Sequence, residues 1–396
     1  MTERNRARPM VVRPIVAIVG AAVVFGSLLA AAPAAMAATP GTNGVIIFRS
    51  HTSGTDQIYR LNGDGSWTAL TGDSNGSEDP AWSPDGKRIA FDRQSDVWVM
   101  NADGSHEVDL TPGADGGFDP TWSPDGKKIA YLDTHASQIF TMNPDGSDQT
   151  QLTFDSSGAL DPAWSPDGKK IAFRTSRAGY QNIDIWVVNV KTGSEADLTN
   201  SPDCDEQPDW SPDGSKIVFV SCRQAGGNLW IMNADGSDPT PVGTPNAYAA
   251  PEHPVWSPDG SRIVMGANEG MGSIELWEVN PDGSGLTQIT SDPGQTYNSE
   301  PSWQPGTPLL TAKPKTGAAG TTVKVSGAGC ALGEKVRLTF IDADGVQTPL
   351  GSATAGNEGT FTKKVTIPAA APAGKSQIVA KESPLGRKST AKFTVV

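Results

Sequence analysis

The sequence predicts an all-β chain, a six-bladed β-propeller closed by the last inner strand of the ring and followed by a small β-sandwich. Three observations carry that expectation. First, Trp-Ser-Pro-Asp-Gly starts at Trp82, Trp122, Trp164, Trp210 and Trp256, and a worn copy begins at Trp303. The copies lie 40, 42, 46, 46 and 47 residues apart, which is the period of a four-stranded propeller blade. Second, Asp-Gly pairs separate short alternating apolar runs, a strong hairpin signal because glycine takes a positive φ without steric cost. Third, the two ends of the series complete each other. Residues 44–71 supply three strands with no Pro-x-Trp before them, while Glu300-Pro301-Ser302-Trp303 supplies an inner strand with no partners after it. Joined, they make one blade and leave no bare sheet edge there.

Taken in order, residues 1–37 read as a secretory signal. Arg4, Arg6, Arg8 and Arg13 precede an apolar run from Ile15 to about Ala32, and Ala35-Met36-Ala37 supplies a small-x-small cleavage site. Cleavage and export are expected, with no membrane span remaining. A retained anchor is the alternative, since the run approaches the roughly 18 residues of a spanning candidate. Residues 38–306 form the propeller. In each unit an inner strand carries Pro-x-Trp and the Ser-Pro-Asp-Gly turn follows. Next come an apolar strand such as Arg88 to Phe91, an alternating strand such as Asp96 to Met100, and an Asn-x-Asp-Gly-Ser turn into a last strand ending in Leu-Thr. The repeated tryptophans and phenylalanines are expected to pack between sheets. Beyond them, residues 307–396 change composition to Ala, Gly, Thr, Val and Lys with short alternating runs, which suggests an immunoglobulin-like sandwich.

Charge narrows the partners. The whole chain carries a formal -13; without the leader it carries -16, and residues 307–396 hold +7, which leaves -23 on residues 38–306. An acidic body of that size is a poor surface for phosphate backbones, so nucleic acid is not an expected partner. The basic C-terminal part suits an anionic cell-wall polymer or the acidic propeller itself. Three cysteines exclude a cysteine-rich scaffold and a four-thiolate metal site. Counting outward from the Ser211 to Gly214 turn puts residue 204 opposite 221, so a Cys204–Cys222 disulfide is geometrically reasonable in an exported chain. Cys330 is expected to be a small buried apolar side chain.

The repeat Asp-Pro-x-Trp-Ser-Pro-Asp-Gly-Lys-x-Ile-Ala-Phe, followed by Ile-Trp-x-Met-Asn-x-Asp-Gly-Ser and Leu-Thr, resembles the TolB-type, WD40-like propeller repeat over residues 44–306. The resemblance implies six blades and, as in TolB, a periplasmic scaffold for partner proteins of the cell envelope. TolB carries an α/β domain before its propeller, whereas here the propeller follows the leader almost directly and a sandwich comes after it. Similar repeats also occur in prolyl-oligopeptidase-like enzymes, whose chemistry lies in an α/β-hydrolase domain.

Motifs for catalysis are thin. Gly72-Asp73-Ser74-Asn75-Gly76 matches a nucleophile elbow in letters, but it bridges two predicted strands and lacks the following helix. His51, His106, His135 and His253 are isolated, and no His-Glu-x-x-His occurs. The Asn-x-Asp-Gly-Ser turns resemble part of a calcium loop, yet the twelfth position from Glu278 is Ile289 and no bidentate glutamate. The residues before each inner-strand proline are Asp79, Asp119, Asp161, Gln207, His253 and Glu300, and ring symmetry gathers them at one mouth of the central channel. Asp79, Asp119, Asp161 and Glu300 are expected to be solvated, paired with Arg93 or Arg174, or bridged by a cation such as Ca2+. No other cofactor is expected. The longer connections share that end with the ring and carry Asp73, Glu78, Asp115, Phe118, Phe154, Tyr180, Asp203, Asp205, Glu206, Tyr248, Glu252 and Tyr297. Loops on a rigid scaffold are where binding concentrates. The expected function is therefore a secreted, non-enzymatic scaffold binding an envelope protein or basic peptide segment there. A hydrolase or lyase using a cation at the mouth, or a glycan-binding module, is the alternative.

Overall fold

The structure, a computed structural model, describes residues 43–51, 54–113, 116–177, 182–223, 228–243, 250–268, 273–291, 297–305, 309–328, 335–354, 361–383 and 388–396. The leader, Asp115, Tyr180, Tyr248 and Cys330 lie outside the described residues. All described regular elements are strands, and no described helix is long and apolar enough to cross a membrane. Ser74 sits in a turn between the strands Trp67–Ala69 and Glu78–Trp82, so the elbow match has no strand–helix frame.

Up to residue 303 the strands form six four-stranded antiparallel sheets. Their inner strands are Glu78–Trp82, Gly117–Trp122, Leu160–Trp164, Asp205–Trp210, Glu252–Trp256 and Asn298–Trp303. The last of these pairs with Ile46–Ser50, setting Ile46 opposite Trp303 and Ser50 opposite Asn298, so one sheet draws on both ends of the repeat region. Each inner strand contacts the next, and Asn298–Trp303 returns to Glu78–Trp82.

Hydrophobic burial between neighbouring sheets holds this arrangement. Trp82 packs with Ile47 and Ile58 of one sheet and with Ile89, Phe91 and Met100 of its own. Trp122 joins Val97, Val99 and Leu110 in the same way, and Trp256 joins Val218 and Ile231. The Leu-Thr signature also has a local purpose. The hydroxyl oxygens of Thr71, Thr111, Thr153, Thr199 and Thr290 accept the N–H of Ile58, Val97, Ile139, Ile185 and Leu276 at 2.9–3.0 Å, which satisfies one backbone donor in each of five of the six sheets.

Both stereotyped turns are saturated from within. In Ser-Pro-Asp-Gly, Ser83 Oγ donates to Asp85 Oδ1 (2.8 Å), and that oxygen also accepts Lys87 N–H (3.1 Å). In Asn-Ala-Asp-Gly-Ser, Asp103 Oδ1 accepts both the N–H and the hydroxyl of Ser105 (3.0 and 2.6 Å). Gly104 is required twice over, by its φ of 85° and because a Cβ there would lie 2.5 Å from the Leu70 carbonyl oxygen of the adjacent sheet.

The register sets Asp205 opposite Ser221, so Cys204 faces Cys222. Cys222 N donates to the Cys204 carbonyl at 2.8 Å; the two residues are joined in a disulfide with Cα atoms 5.1 Å apart. Beyond residue 308 a three-stranded and a five-stranded sheet share one core. It includes Val323, Val325, Leu338, Phe340, Ile378 and Phe393.

Candidate functional site at the channel mouth

Every inner strand is bulged at the same place. The register slips across the residue before the proline in all six, between Glu78 and Ala81 in the first. Proline cannot donate to a ladder, and an inner edge strand tolerates that loss. The preceding residue takes the left-handed region: φ is 48° at Asp79, 49° at Asp119, 53° at Asp161, 54° at Gln207, 46° at His253 and 51° at Glu300. Left-handed backbone is unfavourable for residues with a Cβ and persists only where the surroundings over-determine it. Bulges of this kind re-aim side chains. All six residues line one cavity of about 310 Å³, whose wall continues through the six prolines to Trp82, Trp122, Trp256 and Trp303.

Part of the ring is stitched side chain to backbone. Glu300 Oε2 accepts Asp79 N–H (2.8 Å), Asp161 Oδ2 accepts Gln207 N–H (3.3 Å), and Gln207 Oε1 accepts His253 N–H (2.9 Å). The last bond fixes the amide, so Gln207 Nε2 donates to His253 Nε2 at 3.1 Å. The neutral imidazole then carries its proton on Nδ1, which is buried without a partner.

The electrostatics divide the ring. On one side, Arg174 binds Asp161 (2.7 Å) and Glu206 (2.9 Å). On the other, Arg49 binds Glu300 (2.6 Å), Asp56 (2.9 Å) and Glu78 (3.3 Å); burial opposes its charge, but these carboxylates outweigh that and raise its pKa. Between them lie Asp79 and Asp119, with Asp92 behind, hydrogen-bonded among themselves through Asp79. No basic group is paired with any of the three among the described residues. Burial pushes the Asp79 carboxyl well above the usual range, and repulsion from Asp119, Glu300 and Asp92 adds to it. Asp92 is raised for the same first reason, with Glu300, Asp119 and Glu78 adding. Asp161 is raised to about 6, by burial and then by Asp119, with Arg174 pulling against both.

Some expected roles change. Arg93 does not reach the ring; it binds Asp73 (2.9 Å) and Glu107 (2.5 Å) and lies over the Phe91 and Trp98 rings. Its strand neighbour Asp92 joins the mouth instead, because successive strand residues face opposite ways. Arg49, Asp92 and Asp209 are the residues that sequence reasoning missed. Asp209 lines the cavity and its Oδ2 accepts Trp256 N–H at 2.8 Å; burial raises its carboxyl to about 7. Among the loop candidates, Asp205 is fully buried against Arg223 (2.7 Å) and offers nothing to a partner. Phe154 and Tyr297 are 76% and 47% exposed.

A family model described as the TolB beta propeller domain matches residues 73–183 and 96–337. The chain belongs to the TolB beta-propeller domain family. Among curated proteins, no match is found. Among solved structures, TolB from Acinetobacter baumannii superposes with a TM-score of 0.57 at 22% identity, covering 67% of this chain and 68% of that one. The putative TolB from Agrobacterium tumefaciens gives 0.53 at 18% identity, covering 83% of this chain and all of that one (100%). Hydrazine synthase from Kuenenia stuttgartiensis gives 0.54 at 13% identity, covering 90% and 68%. Likeness at such identities establishes a shared fold. A hydrazine synthase thus superposes on the chain as well as two TolB proteins do, and the fold alone says little about activity.

Proposed function

We propose that this TolB-type propeller is an exported, non-enzymatic binding scaffold of the cell envelope, and that its partner docks on the end bearing the mouth and the long connections. In this reading the six sheets are six blades, the Asn298–Trp303 to Ile46–Ser50 pairing closes the ring, and the C-terminal sheets are an immunoglobulin-like sandwich. The observation that carries the proposal is the contrast between the two ends. At the turn end the repeated aspartates are consumed by their own turns. At the other end Phe154 and Tyr297 stand exposed in connections that lead into inner strands, and carboxylates line the mouth at that same end. Exposed aromatic anchors beside acidic groups suit a protein or peptide segment carrying basic residues.

Export is supported by the leader-like first 37 residues and by the Cys204–Cys222 disulfide, since such bonds persist in oxidising compartments. The +7 of residues 307–396 suits retention on an anionic cell-wall polymer, a contact that added salt would weaken. A photo-crosslinking residue in place of Phe154 or Tyr297 should capture one and the same envelope protein in cells. The same residue in place of Asp145, at the turn end, should capture none. Capture from position 145 with none from 154 or 297 would overturn the assignment of the binding end.

A further inference from the structure

We propose that the outer face of the three-stranded C-terminal sheet is a docking strip for a linear, phosphate-bearing polymer of the cell envelope, with Lys313, Lys324 and Lys364 as its cations. Such a strip rests on the reading of an exported protein retained on an anionic wall polymer, and supplies the surface that retention needs.

The strip follows from strand register. The sheet consists of Leu309–Lys313, Thr322–Ala328 and Phe361–Thr366, with Thr322–Ala328 in the middle. Successive strand residues face opposite ways, so Val323, Val325 and Val365 enter the core while Lys324 and Lys364 are exposed, as is Lys313. Lys313 lies directly opposite Lys324, and Lys324 directly opposite Lys364. Three lysines thus run straight across three strands, a span of about 10 Å at the usual strand spacing. About 7 Å along the strands, Thr311, Ser326 and Thr362 form a second row in the same register. The hydroxyls of Ser326 and Thr362 lie 3.0 Å apart there.

The lysine row is unfavourable for the fold alone, because like charges directly opposite one another destabilise a sheet. Nothing nearby offsets it. The ion pairs among the described residues all join residues between 49 and 300, so none reaches this sheet. In the propeller turns, by contrast, Lys87, Lys127 and Lys169 each sit 3.0–3.5 Å from an aspartate. A polyanion laid along the row would supply the missing counter-charge and release its own counterions.

Chemistry selects the occupant. Lysine binds phosphate as a point charge on a flexible stem, whereas two-point recognition of a planar carboxylate calls for arginine. The row holds lysine alone. The adjoining hydroxyls can each accept a further hydrogen bond, which suits a polymer whose units carry hydroxyl groups. A membrane surface fits less well: lasting attachment needs a second signal beyond a basic patch, and no large apolar side chain of these three strands is exposed among the described residues.

The test measures binding of the full exported chain to immobilised poly(glycerol phosphate) at low and high salt. The variant with Lys313→Gln, Lys324→Gln and Lys364→Gln together should bind about tenfold more weakly or worse at low salt, with a shallower salt dependence because fewer counterions are released. Lys87→Gln, Lys127→Gln and Lys169→Gln together remove the same charge from the propeller turns and should leave binding unchanged. Lys324→Gln alone should weaken binding while keeping or raising the melting temperature, since it relieves the row; a purely structural lysine would lower it. Equal binding by the wild type and the Lys313, Lys324, Lys364 variant would overturn this surface and leave retention on the wall standing. No binding by the wild type at low salt would overturn both. Arg337 and Lys381 face each other on the five-stranded sheet, and an equal loss in Arg337→Gln with Lys381→Gln would move the site there and overturn the assignment. Tighter binding to phosphatidylglycerol vesicles than to the polymer would overturn the choice of occupant.

Discussion

Asp79 and Asp85 stand six residues apart in one motif and live in opposite worlds. Partial burial pushes the Asp85 carboxyl up, but hydrogen bonds from Ser83 and Lys87 outweigh it and hold the group below the usual range. At Asp103, in the other turn, bonds from Ser105 do the same. Asp79 is buried among like charges and shifted the other way. The turn aspartates recur at 85, 125, 167, 213 and 259, whereas the mouth position reads Asp, Asp, Asp, Gln, His, Glu. A residue that solves a local backbone problem is repeated unchanged in five of the six copies of the motif. One that faces its copies across an axis cannot be, because identical charges brought together repel. Repetition therefore marks scaffold, and the break in repetition marks the place to look for function.

The largest effect expected from this contrast is at Asp209, a channel aspartate with no arginine. Its carboxyl is raised to about 7, against an ordinary value near 3.9. A raised acid means that the folded state holds the proton more tightly than the unfolded chain. Its contribution is complete below about pH 4, declines between 4 and 7, and is flat above. About three units correspond to on the order of 4 kcal/mol across that window. Asp209→Asn keeps an oxygen for Trp256 N–H while removing the charge, so the variant should match the wild type near pH 4 and exceed it at pH 8. Denaturant unfolding across pH 4–8 checks this, and parallel profiles would refute it. Next comes the turn end, where rigidity is steric rather than electrostatic. Gly104→Ala adds a Cβ 2.5 Å from the Leu70 oxygen at a φ of 85°, and the two penalties together should cost about 3 kcal/mol with no change in pH dependence. A loss under about 1 kcal/mol would show that the adjoining sheet yields easily.

The parts legible in the sequence are those set by neighbours in the chain. Asp-Gly pairs declare the hairpins, the tryptophan period declares the sheets, and the position before each proline declares the mouth. What could not be read depends on direction and on contacts between sheets. Arg93 looked like a mouth cation, yet strand alternation turns it outward and turns Asp92 inward. Arg49 belongs to the incomplete first unit and no motif frames it; only the pairing of Ile46–Ser50 with Asn298–Trp303 brings it to Glu300. Asp209 occupies the variable position of Pro-x-Trp, filled elsewhere by Ala81, Thr121, Ala163, Val255 and Ser302, and its role appears only when the next inner strand lies beside it.

The smallest expected effect sharpens the comparison most, because it changes the same atoms in the same residue type. Asp85→Asn retains an oxygen for Ser83 and Lys87 and removes the charge. The folded Asp85 carboxyl lies below its unfolded value, so its contribution is present above the unfolded pKa and is lost as pH falls through the folded one. The sign is therefore opposite to that at Asp209: the variant should be slightly less stable than the wild type at pH 7 and equal to it at the acid end. Solvent screens a turn of this exposure, so the difference should stay under about 1 kcal/mol and shrink further with added salt. Melting curves at pH 3 and pH 7, in low and high salt, measure it. A stabilising effect at pH 7 would mean that the turn carboxylates feel the acidic body of the propeller more than their own hydrogen bonds, and that the division between the two ends is one of degree.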